Sequence, residues 1–326
     1  MAPRRLRVDG FDGSAPVAIP GVPAPLRGRG RANDLAAVLE IAIAHTGLRL
    51  GYDLLMGLSR LAFRTSPDPF AAALGREDAA GALAGLGAAL APAPELHEAP
   101  ALGPGGVLEL VATAVDGALP CAALGWGSVK DRWSIICGYD RARERLLGHC
   151  LLDEPRAQYE SWPPNPDLLI TMPSAPRPRR AETLDGTIRA AAATWDARNA
   201  ARWAAWQRAL RDLDAAPPVG HIAAVELLAD ARTAAAGFLE ALADRLEPIP
   251  AAWLRRAAER YRTLVEALET GGAPIDQETL ALLEAPEARE AWADALARAA
   301  AIDQAAAADL RLSLEATWTP DDAERP

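Results

Sequence analysis

The chain has 326 residues and carries 34 basic against 44 acidic side chains, for a net charge of −10 and an isoelectric point near 5.0. That length exceeds one average domain, and that charge repels a phosphate backbone, so two domains are expected and a general grip on nucleic acid is excluded. Three cysteines, Cys121, Cys137 and Cys150, close no disulfide set and form no Cys-x-x-Cys pair, which points to a reducing cytoplasm and away from structural zinc.

In chain order, Arg4, Arg5 and Arg7 are followed by Asp9, Asp12 and Pro20, which interrupt any apolar run of signal-peptide length. Helices are predicted over 32–44 and 52–59, with helix or loop over 69–90. The stretch 79–94 is mostly Ala and Gly, too poor in Leu, Ile and Phe to enter a bilayer. Strands are then expected over 108–113, 120–124, 132–139, 145–152 and 167–171, with 139–144 as a hairpin connection. This is an α+β pattern, helices first and a small antiparallel sheet later.

Three prolines within Pro173–Arg180 remove backbone donors, so 173–180 reads as a Pro/Arg-rich linker that ends a first domain at residue 172. Beyond it a mainly helical domain is expected over 181–316, followed by a fraying tail over 317–326. Its first helix should run over 181–213, with Trp195, Trp203, Trp206 and Leu210 on one stripe filling a helix-to-sheet interface. Further helices are expected over 221–246, 250–269 and, with interruptions, 276–315.

Few residues carry obvious chemistry. In the loop Trp126–Trp133, two indoles bracket the only lysine, Lys130, together with Asp131 and Arg132. Loops on rigid scaffolds hold binding groups, and indole faces meet cations or flat ligands, so these five residues are ligand-binding candidates. Cys137 and His149 lie on two strands expected to pair, and could approach across that hairpin as a thiol–imidazole dyad. His149 and Cys150 are adjacent, so on a strand they face opposite ways. His45, at a helix end, His97, in a proline-flanked loop, and His221, after a Pro-Pro-Val-Gly break, read as capping or exposed. No metal-ligand spacing is present, and no cofactor is expected.

The segment Tyr52-Asp-Leu-Leu-Met-Gly-Leu-Ser-Arg-Leu-Ala-Phe-Arg64 resembles a Tyr-Asp-x-Leu-Met-Gly-x-Ser-Gly-x-Ala-Phe-Arg motif of bacterial proteins. Those proteins have a C39-peptidase-like, butirosin biosynthesis protein H-like N-terminal half and a helical C-terminal half. Pro120–Trp126 and Trp133-Ser-Ile-Ile-Cys-Gly-Tyr-Asp140 resemble two sheet strands of the same half, and 229–239 and 257–261 resemble its helical sequel. The resemblance implies a papain-like fold and, through butirosin H, acyl transfer from a carrier protein to an amine.

Such chemistry needs a thiolate at a helix start, an imidazole beside it and a side chain that orients the imidazole. The resemblance places the thiol near Gly30–Asp34, where no cysteine stands and Asn33 or Asp34 makes a good cap. It places the imidazole six residues before Gly138, which is Arg132, a side chain that stays protonated. Asp153, near an expected Asp-Pro that supplies the orienting carboxylate, is the one catalytic candidate it retains. Arg60 replaces a motif glycine.

The expectation is therefore a catalytically degenerate papain-like protein that binds a small molecule or a protein partner through its cleft or helical half. Its candidate ligand residues are Trp126, Lys130, Asp131, Arg132, Trp133, Asn33 and Asp34. One alternative is an acyltransferase or amidase resembling butirosin H, with an acyl carrier protein as partner and Asp153, Cys137 and His149 as catalytic candidates. A scaffold subunit is the other.

Overall fold

The computed structural model describes residues 6–7, 16–25, 31–64, 74–150, 159–179, 182–193, 197–212, 218–269, 283 and 285–317. The chain divides into two compact units, Met1–Leu55 with Ala73–Arg180, and Met56–Ala72 with Ala181–Pro326. The helical unit thus includes a segment from early in the sequence.

The first unit is α+β. Its strands are β1 (Leu6–Arg7), β2 (Val17–Ala18), β3 (Leu90–Ala91), β4 (Glu95–Glu98), β5 (Cys121–Leu124), β6 (Trp133–Asp140), β7 (Arg145–His149), β8 (Glu160–Trp162), β9 (Leu168–Thr171) and β10 (Arg177–Pro178). An antiparallel sheet runs β1-β2-β6-β5-β9-β4, with β7 on the other edge of β6 and β8 beyond it. The central strand β6 is buried along its whole length, as its unbroken apolar run Trp133-Ser-Ile-Ile-Cys requires. Burial of Ile135 and Ile136 contributes about 2 kcal/mol each. At Gly138 a methyl group would stand 2.6 Å from the Val17 carbonyl oxygen, so glycine is what lets β2 close on β6.

The helices of this unit are α1 (Asp34–His45), α2 (Tyr52–Leu58, shared with the second unit), α3 (Arg76–Ala89) and α4 (Ala99–Asp116). The stretch 108–113, expected as a strand, lies inside α4. Gly103, at φ 67°, breaks the helix in its first turns, and Pro104 then starts the main run. Val107, Leu108, Val111, Ala112 and Val115 are buried at helical spacing, a period hidden beneath β-branched residues. His97 is on a strand: it sits in β4, with Nε2 2.9 Å from Thr171 Oγ1 on β9. Within 173–180, β10 pairs with β3, and Arg179 N–H donates to the Ala89 carbonyl at 2.8 Å.

The second unit is helical: α5 (Glu182–Ala193), α6 (Ala197–Arg211), α7 (Pro218–Ala243), α8 (Pro248–Glu269) and α9 (Pro286–Thr317). The single helix expected over 181–213 is two helices, and Trp195 lies outside the described residues. Trp203 and Trp206 stack at 5.8 Å and pack with Leu264, Leu268 and Trp292 inside the helical core, where a helix-to-sheet interface was expected. His221 is fully buried there, accepting from Trp206 Nε1–H on Nδ1 at 3.0 Å and meeting Trp292 edge to face.

This unit closes around Arg232, which is wholly buried on α7. Its guanidinium forks onto Asp303 at 2.8 and 3.1 Å, donates to the Ala62 carbonyl at 2.7 Å and lies over the Tyr261 ring. Phe63, in the 3-10 turn Leu61–Phe63, packs edge-on against Phe238 and beside Tyr261. Arg60, before that turn, has a left-handed backbone at φ 64°. A glycine fits this position at no steric cost, which gives the motif glycine its physical reason.

Candidate functional site

The start of α1 and the start of β6 meet in the first unit, and there four of the candidate residues, Asn33, Asp34, Arg132 and Trp133, come together. Asn33 caps α1, its Oδ1 accepting from Ala36 N–H at 2.9 Å while Ala37 N–H donates to its carbonyl at 3.0 Å. Asp34, only 2% exposed, accepts from Leu35 N–H on Oδ1 at 2.9 Å and from Trp133 N–H on Oδ2 at 3.1 Å. One carboxylate therefore ties the helix start to the central strand across 99 positions of sequence. Burial pushes the Asp34 carboxyl above the ordinary range, opposed by these amides and by the nearby Arg132 guanidinium.

The amides of Leu35, Ala36 and Ala37 are all used within the helix cap. They are the donors that a helix start would otherwise turn toward an anion. Behind the cap, Tyr52 Oη accepts from Asn33 N–H at 3.3 Å, and the Arg31 guanidinium lies over the Tyr52 ring while pairing with Glu40.

The loop residues separate. Trp126 and Trp133 are fully buried, with Trp133 Nε1–H donating to the Leu74 carbonyl at 2.8 Å. Lys130 reaches back to the Gly125 carbonyl at 2.8 Å, Asp131 is exposed and Arg132 is half-buried. The indoles are wall, and Ser128, Lys130 and Asp131 are the exposed residues of the loop.

The cysteines occupy other sites. Cys121 and Cys137 are buried, and burial pushes both thiols up to about 12. The Cys150 thiol is raised by burial and donates to Glu160 Oε2 at 3.3 Å, an oxygen that also accepts from Trp162 Nε1–H at 2.8 Å. Across the β6–β7 ladder, His149 stands opposite Ile135, and a register shift falls at Cys137. Tyr159 lies beside both halves of the expected dyad: its hydroxyl donates to the Ile19 carbonyl at 2.8 Å and acts on the Cys137 thiol, and its ring is 4.8 Å from the His149 ring. Burial lowers the His149 imidazole, and Asp153 lies outside the described residues.

The Asp34 cluster can brace the unit and hold a proton. It presents neither a thiolate nor an imidazole for acyl transfer. Tyr52, Leu74, Tyr159 and Glu160 complete these clusters and carried no signal of their own; only the Tyr-Asp opening of the 52–64 motif touched one of them. Among the described residues, no group of three or more His, Cys, Asp or Glu is arranged to hold a metal ion, and no helix is long and apolar enough to cross a membrane. No family model, no curated protein and no solved structure matches the chain.

Proposed function

We propose that the first unit is a non-catalytic, papain-like (C39-like) fold and that the protein acts by binding a small molecule or a protein partner. The observation that carries this reading is the Asp34 carboxylate. It stands where the resemblance puts the nucleophile, and both its oxygens are engaged by backbone amides. Arg132 stands where the imidazole would be and cannot take a proton from a nucleophile. The Leu35, Ala36 and Ala37 amides are spent on the cap, so these donors of the helix start are not turned toward a tetrahedral oxyanion.

The test is the rate of iodoacetamide labelling of each cysteine in the native protein over about pH 5 to 9, read by peptide mass spectrometry. Labelling of all three only on denaturation is expected, because a reactive thiolate needs a pKa at or below about 8.5. Fast labelling of Cys137 or Cys150 near pH 6 would overturn the reading and restore the acyltransferase.

A further inference from the structure

We infer that the exposed seam between α8 and α9 is a docking site whose occupant is the chain's own segment Trp318–Glu324, held by an apolar contact of Trp318 and by ion pairs from Asp321 and Asp322 to Arg256 and Arg260. The site lies within the helical unit and is independent of the reading of the first unit.

Helical spacing puts Ile249, Trp253, Arg256 and Arg260 on one stripe of α8, and Asp309 and Leu312 on one stripe of α9. Two sets of contacts bring the stripes side by side with the helices antiparallel. Ser313 Oγ donates to the Pro250 carbonyl at 3.0 Å, and Arg256 and Arg260 both pair with Asp309, Arg256 at 3.4 Å. The apolar side chains along the seam reach solvent. Ile249 is 68% exposed and Leu312 37%, two of the four exposed large hydrophobics among the described residues. Trp253 between them is half-buried, with the Arg256 guanidinium 5.3 Å over its ring.

Charge decides what such a surface takes. The two guanidiniums share one carboxylate, which is itself buried, while the Arg256 side chain stays 56% exposed. These three groups leave one positive charge in excess beside exposed apolar side chains, in a chain whose net charge is −10. The complementary occupant is acidic and carries an apolar anchor.

The residues that follow α9 have that chemistry in that order. The helix ends at Thr317, and Trp318-Thr-Pro-Asp-Asp-Ala-Glu324 then supplies one indole and three carboxylates with no basic side chain among them. Chain length selects the pairing. Ser313 marks the level of Pro250; Thr317 lies four residues beyond Ser313, and Arg256 lies six residues along α8 from Pro250. The return from Thr317 to Arg256 therefore spans four plus six residues of helix rise, about 15 Å. Extended chain covers about 3.3 Å per residue, so Asp321 and Asp322, four and five residues after Thr317, come level with Arg256. Pro320 fixes its own φ and biases Thr319 toward extended backbone, which is the straight run the return needs. Trp318 opens that run at the end of the seam where Ile249 and Leu312 lie.

The experiment removes the occupant and leaves the seam intact. Hydroxyl-radical footprinting of the full-length chain, read by peptide mass spectrometry, measures the exposure of single side chains. In the variant Trp318→Ala with Asp321→Asn and Asp322→Asn, oxidation of Ile249 and Leu312 should rise about 3-fold over the wild type, because a tethered segment at millimolar effective concentration keeps even a weak site mostly filled. Arg256→Glu alone should give the same rise, and Arg256→Glu combined with Asp321→Arg and Asp322→Arg should restore the protection.

Unchanged oxidation in the first variant, or no recovery with the reversed charges, would sink the proposal. Protection in the wild type that is lost on dilution, together with a dimer by light scattering, would make the occupant the tail of a second copy and overturn the assignment in cis. Should Arg256→Glu unfold the helical unit, the first variant alone decides. Every one of these failures leaves the cysteine-labelling result, and the non-catalytic reading, standing.

Discussion

Replacing Asp34 by Ala separates a structural brace from a catalytic or ligand-binding carboxylate. The substitution strips acceptors from two buried amides, Leu35 N–H and Trp133 N–H, at 2.9 and 3.1 Å. An unsatisfied buried donor costs about 1–3 kcal/mol, and relief of burying a charge offsets part of the pair, leaving a net loss of about 2 kcal/mol. Chemical denaturation of the full chain, fitted for two units, measures it. The pH dependence has a definite sign. The folded-state pKa of Asp34 is raised from 3.8, so above pH 3.8 the folded state holds a proton that the unfolded state has released. The wild type therefore loses stability as pH rises through that window and Asp34→Ala does not, so the deficit of the variant is smaller at pH 7 than at pH 4. A change below about 0.5 kcal/mol at pH 7 would show that the carboxylate braces nothing and would reopen its role as a functional group.

Arg60→Gly should stabilise the helical unit by about 0.5–1 kcal/mol in the same assay, since it removes a left-handed non-glycine backbone and a buried guanidinium Nε with no hydrogen-bond partner; a loss of stability would show that the Arg60 side chain holds the turn. Burial lowers His221 from 6.5 to about 4, so its stabilising effect is present above pH 6.5 and fades as pH falls toward 4, a span worth about 3 kcal/mol. His221→Leu should flatten the acid limb of thermal unfolding over that range, and an unchanged limb would place the acid sensitivity elsewhere.

The strands β5, β6, β7 and β9 and most helices were legible because their apolar period is local, whereas the short β1, β2, β3, β4, β8 and β10 carry too few apolar residues to show one. Trp133–Asp140 and Arg145–His149 announce themselves by continuous or near-continuous burial, and Asn33 by its position before an apolar run. The α4 helix was not, because Val107, Val111 and Thr113 carry strand propensity while Pro104 and the register of the buried face decide for helix. Of the candidate site, neither the bond from Trp133 N–H to Asp34 nor the burial of both loop tryptophans was read from the sequence. An indole reads the same in sequence whether it lines a cleft or fills a wall, and only the Leu74 carbonyl and the surrounding strands distinguish the two. Long-range partners such as Ile19 with Tyr159, 140 residues apart, leave no local trace.

The Arg232 clasp bears on how the chain is made. The carbonyl it holds, Ala62, precedes it by 170 residues, and the Phe63 ring awaits Phe238 and Tyr261 across a comparable gap. During synthesis, Leu61 and Phe63 leave the ribosome long before the helices that cover them, and residues 73–180 of the first unit are translated in between. A ribosome stalled before α7 would display this apolar turn with no cover. A fragment beginning at residue 181 would hold Arg232 and Asp303 without the turn that completes their coordination. Expression of the helical unit alone would therefore need residues 56–72 grafted back.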